Sequence, residues 1–577
     1  MRKLIKRRHT QPDPCAFPNT APLLQRLYAA RGVTGEEQLR YELKRLLQPQ
    51  LKGLEAALEL LVCALRAQQR ILVVGDFDAD GATSTALAVR CLKAMGHAQV
   101  EFLVPNRFEY GYGLTPEIVE VAAQLRPDLL ITVDNGISSF QGVARARELG
   151  IRVLVTDHHL PGAELPEADA IVNPNQPGCG FLSKSAAGVG VVFYVMSALR
   201  TRLRELVWFN AARPEPNLAI FLDLVALGTV ADVVPLDFNN RILVAQGLQR
   251  MRAGLACPGI RALLQVGGRD WQKLSTTDLG FVVGPRLNAA GRLDDMSLGI
   301  RCLLTDHEDE ALELAQELDL LNRDRRVIEA AMQKEALISL DAMTEELQGE
   351  LPPGICLYRE DWHQGVIGIL ASRIKDRWYR PVIIFADDES GGLKGSGRSI
   401  AGLHLRDILD EVATTHPGLL HKFGGHAMAA GLSLQREKLA LFTQAFAQVV
   451  RRHLGDQGLE PVIDSDGELA PGEFSLDLAQ KLGQGGPWGQ AFPEPIFDGE
   501  FHLISQKLVG EKHLKLVLAP ASAPDTLVDA IAFNVDRALW PNTHCRRVLV
   551  AYKLAVNEFR GSRDLQLMVD YLEACGI

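Results

Sequence analysis

The sequence has no apolar run long enough to cross a membrane as a helix. Its opening, Met1-Arg-Lys-Leu-Ile-Lys-Arg-Arg8, carries charges where a secretory signal needs an apolar stretch. Nine cysteines are scattered along 577 residues with no C-x-x-C pair. That excludes a disulfide framework and the usual zinc spacings, and it fits reduced thiols in a cytoplasmic protein. There is no excess of basic residues either. Sixty-one Lys and Arg face 71 Asp and Glu, a net charge of −10, so the broad basic footprint of most nucleic-acid binders is missing. An acidic pocket that holds cations produces such a balance, and a local basic groove can coexist with it.

What is present starts with length. A chain of 577 residues is too long for one core, and three or four domains are expected. From Leu60 to Pro235 strand, loop and helix alternate. Strands are predicted at Ile71–Val74, Val100–Val104, Leu129–Val133 and Arg152–Val155, with helices near 82–95, 115–125 and 139–149. Such alternation predicts a mostly parallel, doubly wound sheet. Acidic motifs follow three of these strands: Asp76, Asp78 and Asp80; Asp134-Asn-Gly136; and Asp157-His-His159. A fourth, Thr229-Val-Ala-Asp232, ends an apolar helix-like run. Ligands of open α/β sheets sit at the carboxyl ends of the strands. Carboxylates that converge there repel unless cations lie between them, and oxygen donors with imidazole suit Mg²⁺ or Mn²⁺. Two such ions about 3.5–4 Å apart form the usual clamp for phosphoryl hydrolysis. Taken singly, each motif has a bland alternative: a solvated acidic turn, or a decorative histidine pair.

Further along, Asp278-Leu-Gly-Phe-Val-Val-Gly-Pro-Arg-Leu-Asn-Ala-Ala-Gly-Arg292 gathers Arg286, Asn288 and Arg292 among small residues. A guanidinium pairs bidentately with phosphate, although the segment also reads as a tight turn. Residues 306–345 form a charged amphipathic helix between domains. An α/β rhythm returns in 350–455 with Ile355–Tyr358, Ala371–Lys375 and Val382–Phe385. Within it, two glycine-rich segments carry Lys394, Ser396, Arg398 and His426, and they read as turns suited to phosphates. About five β-like runs after residue 460 predict a small barrel of the OB type, with Trp540, Tyr552 and Phe559 as possible stacking platforms or simply core. The basic tip (Arg2, Lys3, Lys6, Arg7, Arg8) reads as a solvated tail.

Together, Gly75-Asp-Phe-Asp-Ala-Asp-Gly81, Val133-Asp-Asn-Gly-Ile137, Thr156-Asp-His-His159 and Thr229-Val-Ala-Asp232 resemble the motifs of the DHH phosphoesterase superfamily. Gly284-Pro-Arg-Leu-Asn-Ala-Ala-Gly-Arg292, Gly395-Ser-Gly-Arg398, Phe423-Gly-Gly-His-Ala427 and Pro487-Trp-Gly-Gln-Ala-Phe-Pro493 narrow the resemblance to the RecJ family of bacterial single-stranded-DNA-specific 5′→3′ exonucleases. The match covers nearly the whole chain in order.

The resemblance implies two α/β domains, of DHH and DHHA1 type, joined by a long helix, plus a C-terminal OB-like β-barrel. The expected boundaries are an N-terminal extension to residue 50, the DHH domain at 51–305, the connector at 306–345, the DHHA1 domain at 346–455 and the barrel at 456–577. It implies that Asp78, Asp80, Asp134, His158 and Asp232 ligate two Mg²⁺ or Mn²⁺ ions, with Asp134 bridging and Asp76 in the same signature. His159 faces the substrate phosphate, and Asp80, Asp134, His158 and His159 form the catalytic set. Arg107, Arg286, Ser396 and Arg398 are implied to hold phosphates, with Asn288, Arg292 and His426 as further nucleic-acid contacts. The implied partners are single-stranded DNA with a free 5′ end, single-strand-binding protein and repair helicases. The enzyme is expected to be a monomer acting in recombination and repair, with no membrane attachment.

Three rival readings are open. Asp78-Ala-Asp-Gly-Ala82 after a strand mimics a haloacid-dehalogenase-type phosphatase with Asp78 as covalent nucleophile, but that leaves Asp134 and Asp157-His-His159 without a task. A small-substrate phosphodiesterase or pyrophosphatase of the same superfamily would not need the barrel. A non-catalytic single-strand-binding scaffold would have no reason to keep every carboxylate.

Overall fold

The strands Ile71–Gly75 and Leu129–Val133 are buried at every position, and Arg152–Thr156 at all but its first. That is why they read as unbroken apolar runs: a parallel sheet is covered on both faces. In this computed structural model, which describes residues 2–106, 110, 113–346, 351–388, 391–455, 460–510, 512–537, 539–559 and 561–575, these strands belong to a five-stranded sheet. Its spatial order is Val100–Leu103, Ile71–Gly75, Leu129–Val133, Arg152–Thr156, Ala170–Val172, and every pairing is parallel. Strand order reverses between Ile71–Gly75 and Leu129–Val133, which makes the crevice beyond their carboxyl ends the natural ligand position. The register aligns Gly75 with Val133 and Val133 with Thr156. Asp76, Asp134 and Asp157 therefore leave the sheet side by side.

The chain divides into two compact units, Arg7–Asn322 with Asp464–Ile577, and Met1–Lys6 with Arg323–Ile463. The first contains this sheet and a closed barrel. The barrel strands run in the order Phe497–Val509, His513–Pro520, Val528–Ala532, Ser562–Ala574, Arg547–Phe559. Tyr552 is fully buried between Phe497 and Phe501, and Trp540 is buried as well. Both serve as core rather than as stacking surface. The side chain of Phe559 lies outside the described residues. The basic N-terminus is not a solvated tail: Leu4–Arg7 is a strand paired with Val462–Ser465, and Arg7 forks onto Asp498 at 3.0 and 2.7 Å.

The second unit is built on a mixed sheet ordered Lys422–Gly425, Ala429–Leu434, Leu393–Arg398, Val382–Asp387, Ile355–Tyr358. Of the two glycine-rich segments predicted as turns, the first runs along the strand Leu393–Arg398, whereas the second is a hairpin in which His426, Ala427 and Met428 form the turn between Lys422–Gly425 and Ala429–Leu434. The glycines of the first answer to packing: a Cβ on Gly395 would stand 2.6 Å from the Phe385 ring, and one on Gly397 2.8 Å from Leu405. One 39-residue helix, Glu308–Glu346, carries the chain from the first unit to the second.

Candidate metal centre

The helix Ala79–Ala94 begins directly in the acidic loop. Asp78 is its N-cap, and its Oδ1 accepts from the backbone N–H groups of Asp80 and Gly81, both at 3.0 Å. Asp80, one residue into the helix, is buried and held on a second helix N-terminus: its Oδ2 accepts from Gly188 N at 2.7 Å and its Oδ1 from Val189 N at 3.0 Å. The approach needs glycine, since a Cβ at Gly188 would lie 2.7 Å from Asp134 Oδ1. Asp134 sits in the left-handed region at φ 63°, a strained conformation for a residue with a side chain. Its N–H is bonded to Thr156 O, and Asn135 Nδ2 ties Val74 O to Val133 O. Asp232 closes the helix Leu222–Ala231, its N–H bonded to Gly228 O.

His158 stands where these elements meet. Its Nε2 is 3.0 Å from Asp134 Oδ1, 3.4 Å from Asp232 Oδ2 and 4.0 Å from Asp80 Oδ2. Ligand atoms lie within 4.8 Å of one another in three sets: Asp76, Asp78 and Asp134; Asp80, His158 and Asp232; Asp134, His158 and His159. Asp134 and His158 each belong to two sets. His158 Nε2, Asp134 Oδ1 and Asp232 Oδ2 are buried and have no hydrogen-bond partner among the described residues. A buried polar atom without a partner is costly. Carboxylates and an imidazole that share such atoms fit a cluster of hard divalent cations.

The electrostatics point the same way. Burial, then the Asp232 charge, lifts the Asp80 carboxyl to about 7. Burial and the Asp78 charge bring Asp232 to about 7 as well. Asp134 is pushed well above the ordinary carboxylate range by burial and the neighbouring carboxylates. Burial lowers the pKa of His158, which keeps its ring neutral and Nε2 available as a ligand. For His159 burial opposes the charge, but the hydrogen bond and charge of Asp157 prevail and raise it to about 9.

Asp157 was not among the residues expected to act. It is the hub of the motif: Oδ1 accepts from His158 N, His159 N and His159 Nδ1 (2.7 Å), and Oδ2 accepts from Ile137 N. Burial would raise its pKa, yet the His159 bond and the two histidine charges hold it below the usual value. Asn173 and Asn175 donate to the carbonyls of His159 and His158. The signal for Asp157 was its place in Asp-His-His. Nothing local in the sequence ties Asn173 or Asn175 to that loop.

The other expected residues are placed differently. Asn288 Oδ1 accepts from Ala79 N at 2.8 Å, so it braces the acidic loop. Arg286 is buried and engaged inside the protein, with Asp319 at 2.8 Å and the Val282 carbonyl at 2.7 Å. Arg292 is half-buried on the same helix. In the second unit, Ser396 and Arg398 share one face of a strand, and Arg398 donates to Ser396 Oγ and Gly397 O. A Cβ on Gly368, at the start of the helix Ile367–Trp378, would stand 2.9 Å from both side chains. His426 is exposed, its N–H bonded to Ala429 O. Arg107 lies outside the described residues.

Three domain families match: the DHH family N-terminal domain over residues 70–229, the DHHA1 domain over 352–452 and the RecJ OB domain over 465–571. The chain is 57% identical to the single-stranded-DNA-specific exonuclease RecJ of Escherichia coli (strain K12) over 551 residues, 95% of each protein. The chain belongs to the RecJ family. Among solved structures, RecJ of Thermus thermophilus in complex with Mn²⁺ superposes with a TM-score of 0.82 at 31% identity, covering 100% of this chain and 81% of that one. The Mg²⁺ complex gives 0.75 at 29% identity, covering 99% and 79%. RecJ membership, with DHH, DHHA1 and OB domains, agrees with the α/β and barrel architecture. It also disposes of the haloacid-dehalogenase reading. In this RecJ chain Asp78 is a helix cap within a four-motif cluster, not a lone nucleophile.

Proposed function

We propose that the protein is a single-stranded-DNA-specific exonuclease that starts at a free 5′ end and releases 5′-mononucleotides. The observation that carries this reading is the convergence of four acidic motifs on buried ligand atoms that lack hydrogen-bond partners among the described residues. The relatives that bear the RecJ name act on single-stranded DNA, and the Thermus structures hold Mn²⁺ or Mg²⁺.

Asp78, Asp80, Asp134, His158 and Asp232 would hold two divalent ions, with Asp134 between them and Asp76 adding to the same cluster. The bound ions supply Lewis acidity and neutralise charge at the phosphodiester. Neutral His158 serves as a nitrogen ligand. His159, steadied by Asp157, presents a protonated ring that can stabilise a phosphate oxygen or give a proton to the departing 3′ oxygen. Cations placed amid Asp76 and Asp232 would draw its pKa back down towards neutrality.

Ser396 and Arg398, with Arg107, Arg292 and His426, are proposed phosphate contacts. Arg286 and Asn288 are braces in the same reading. The domain boundaries at residues 50, 305, 345 and 455 are part of the proposal. So are the cytoplasmic location, read from the scattered cysteines, the monomeric state, and work with single-strand-binding protein and repair helicases, which rests on the family resemblance. No helix among the described residues is long and apolar enough to cross a membrane.

The test is digestion of end-labelled single-stranded DNA with Mn²⁺ or Mg²⁺, beside the same sequence as blunt duplex and beside an EDTA lane. A 5′ label should leave at once as mononucleotide while a 3′-labelled strand shortens gradually and the duplex survives. Cleavage of a small phosphoester with DNA untouched would shift the substrate. Tight binding without cleavage would favour the scaffold.

A further inference from the structure

The helix Thr276–Asp278 passes through a π turn, Leu279–Val283, into the helix Gly284–Leu293. π turns are rare and are frequent at functional sites. Leu279, Val282 and Val283 of this turn are buried, but Phe281 is 75% exposed. Its neighbours in the chain pack against residues that lead into the acidic centre. A Cβ on Gly280 would lie 3.5 Å from Val230 Cγ1 and one on Gly284 3.3 Å from Ala231 Cβ, and both partners are in the last turn before Asp232. Farther along, Asn288 holds Ala79 N, and a Cβ at Gly291 would strike the Phe77 carbonyl at 1.8 Å. The element that carries Phe281 is thus clamped to two of the four acidic motifs. Gly280, Gly284, Asn288 and Gly291 recur at helical spacing along the clamped side, and Phe281 stands next to that stripe, open to solvent. Val233, directly after Asp232, adds a second uncovered apolar group, 63% exposed at φ 62°. A β-branched residue in that conformation is strained, and strain of this kind gathers at functional sites.

We infer that Phe281 is a base-stacking platform for the strand being digested, so that a nucleobase near the scissile phosphodiester rests against its ring. The inference builds on the exonuclease reading and adds a contact that favours single strands. Every unpaired base offers a π face to an aromatic ring, and stacking tolerates any sequence. A base inside a duplex is stacked on both sides and paired at its edge, so the ring would have nothing to receive. The alternative is a scattered exposed apolar residue, which is common on surfaces. The clamp on the acidic loop and the uncovered Val233 directly after Asp232 distinguish this one.

The experiment compares wild type, Phe281→Ala and Phe281→Trp on single-stranded oligonucleotides carrying one abasic site, moved nucleotide by nucleotide from the 5′ end. Wild type should pause at one position, where the ring loses its partner. Phe281→Ala should raise KM about tenfold on intact DNA, leave kcat nearly unchanged and pass the abasic site without that pause. Phe281→Trp should restore both KM and the pause. A Phe281→Ala variant with wild-type KM, or with the wild-type pause retained, would overturn the inference. A wild-type enzyme that leaves all single-stranded DNA intact would overturn the exonuclease reading, and this inference with it.

Discussion

Two motif groups, both rich in charged or polar side chains, end differently in the fold. The strand-end carboxylates and His158 converge, yet Asp134 Oδ1, Asp232 Oδ2 and His158 Nε2 find no hydrogen-bond partner among the described residues. In the segment Gly284–Arg292, by contrast, Arg286 is bonded to Asp319 and Val282, and Asn288 to Ala79. Both groups contain buried ionisable side chains. In the second the protein itself completes the pairing, whereas the first leaves buried atoms open among the described residues. A buried charge that is satisfied internally marks scaffold, and one left open marks a ligand site.

The sharpest way to break that contrast is to remove an open ligand. Asp134→Ala should reduce hydrolysis to background, because Asp134 belongs to two of the three ligand sets. The metal-free fold should melt no lower than wild type, since one of several repelling carboxylates is gone. A variant that retains its rate with Mn²⁺ would end the two-ion reading. Next comes Asp157→Asn, which spares every ligand atom but weakens the hub that orients His159. Roughly 10–100-fold should be lost from kcat, as is typical of groups behind a metal ligand, with the alkaline limb of the pH profile moved to lower pH. An unchanged profile would mean that His159 takes no part in the reaction.

How much of this the sequence revealed depends on how local each feature is. The parallel strands were legible because burial on both faces leaves unbroken apolar runs, and the candidate cluster was legible because three of its four motifs follow such a strand. The glycine-rich segment around Ser396 was misread as a turn, whereas His426 does sit in one, between two strands. Around Ser396, Gly395 and Gly397 avoid Phe385 and Leu405, so composition alone could not separate a packed strand from a loop. The N-terminal basic tip was misread for the same reason, since Asp498 lies almost five hundred residues away. Asn173 and Asn175 escaped because their partners are backbone carbonyls of another loop.

Arg286 and Arg398 test the contrast from the scaffold side. Arg286→Met removes buried hydrogen bonds to Asp319 and to the Val282 carbonyl and should cost about 2 kcal/mol of stability, with kcat/KM per folded molecule changed little. Arg398→Ala should do the reverse, raising KM for DNA while leaving kcat and melting temperature close to wild type. Its guanidinium meets only Ser396 Oγ and Gly397 O in the contacts described above, and burial lowers its pKa, as befits a cation awaiting an anion. Exchanged phenotypes would mean that the internal pairing at Arg286 had been read wrongly as scaffold.

The smallest effect is on stability against pH, and its sign is fixed by the open carboxylates. Asp80 and Asp232 titrate near 7 in the metal-free fold and Asp134 higher still, chiefly through burial. In the unfolded chain all three release their protons near pH 4. Between about pH 4 and 7 the folded protein therefore holds more protons, and its stability falls as pH rises. His159, raised to about 9, acts in the same direction from about pH 6.5 upward, because the folded state keeps a proton that the unfolded chain gives up. In EDTA the melting temperature should drop by a few degrees from pH 5 to pH 8. Mn²⁺ should raise it more at pH 8 than at pH 5, because at the lower pH the ion must displace protons from its ligands. A metal-free melting temperature that climbs over this interval, together with an equal Mn²⁺ gain at both ends, would show that the carboxylates are already satisfied within the protein. The acidic centre would then belong with Arg286 on the scaffold side of the comparison.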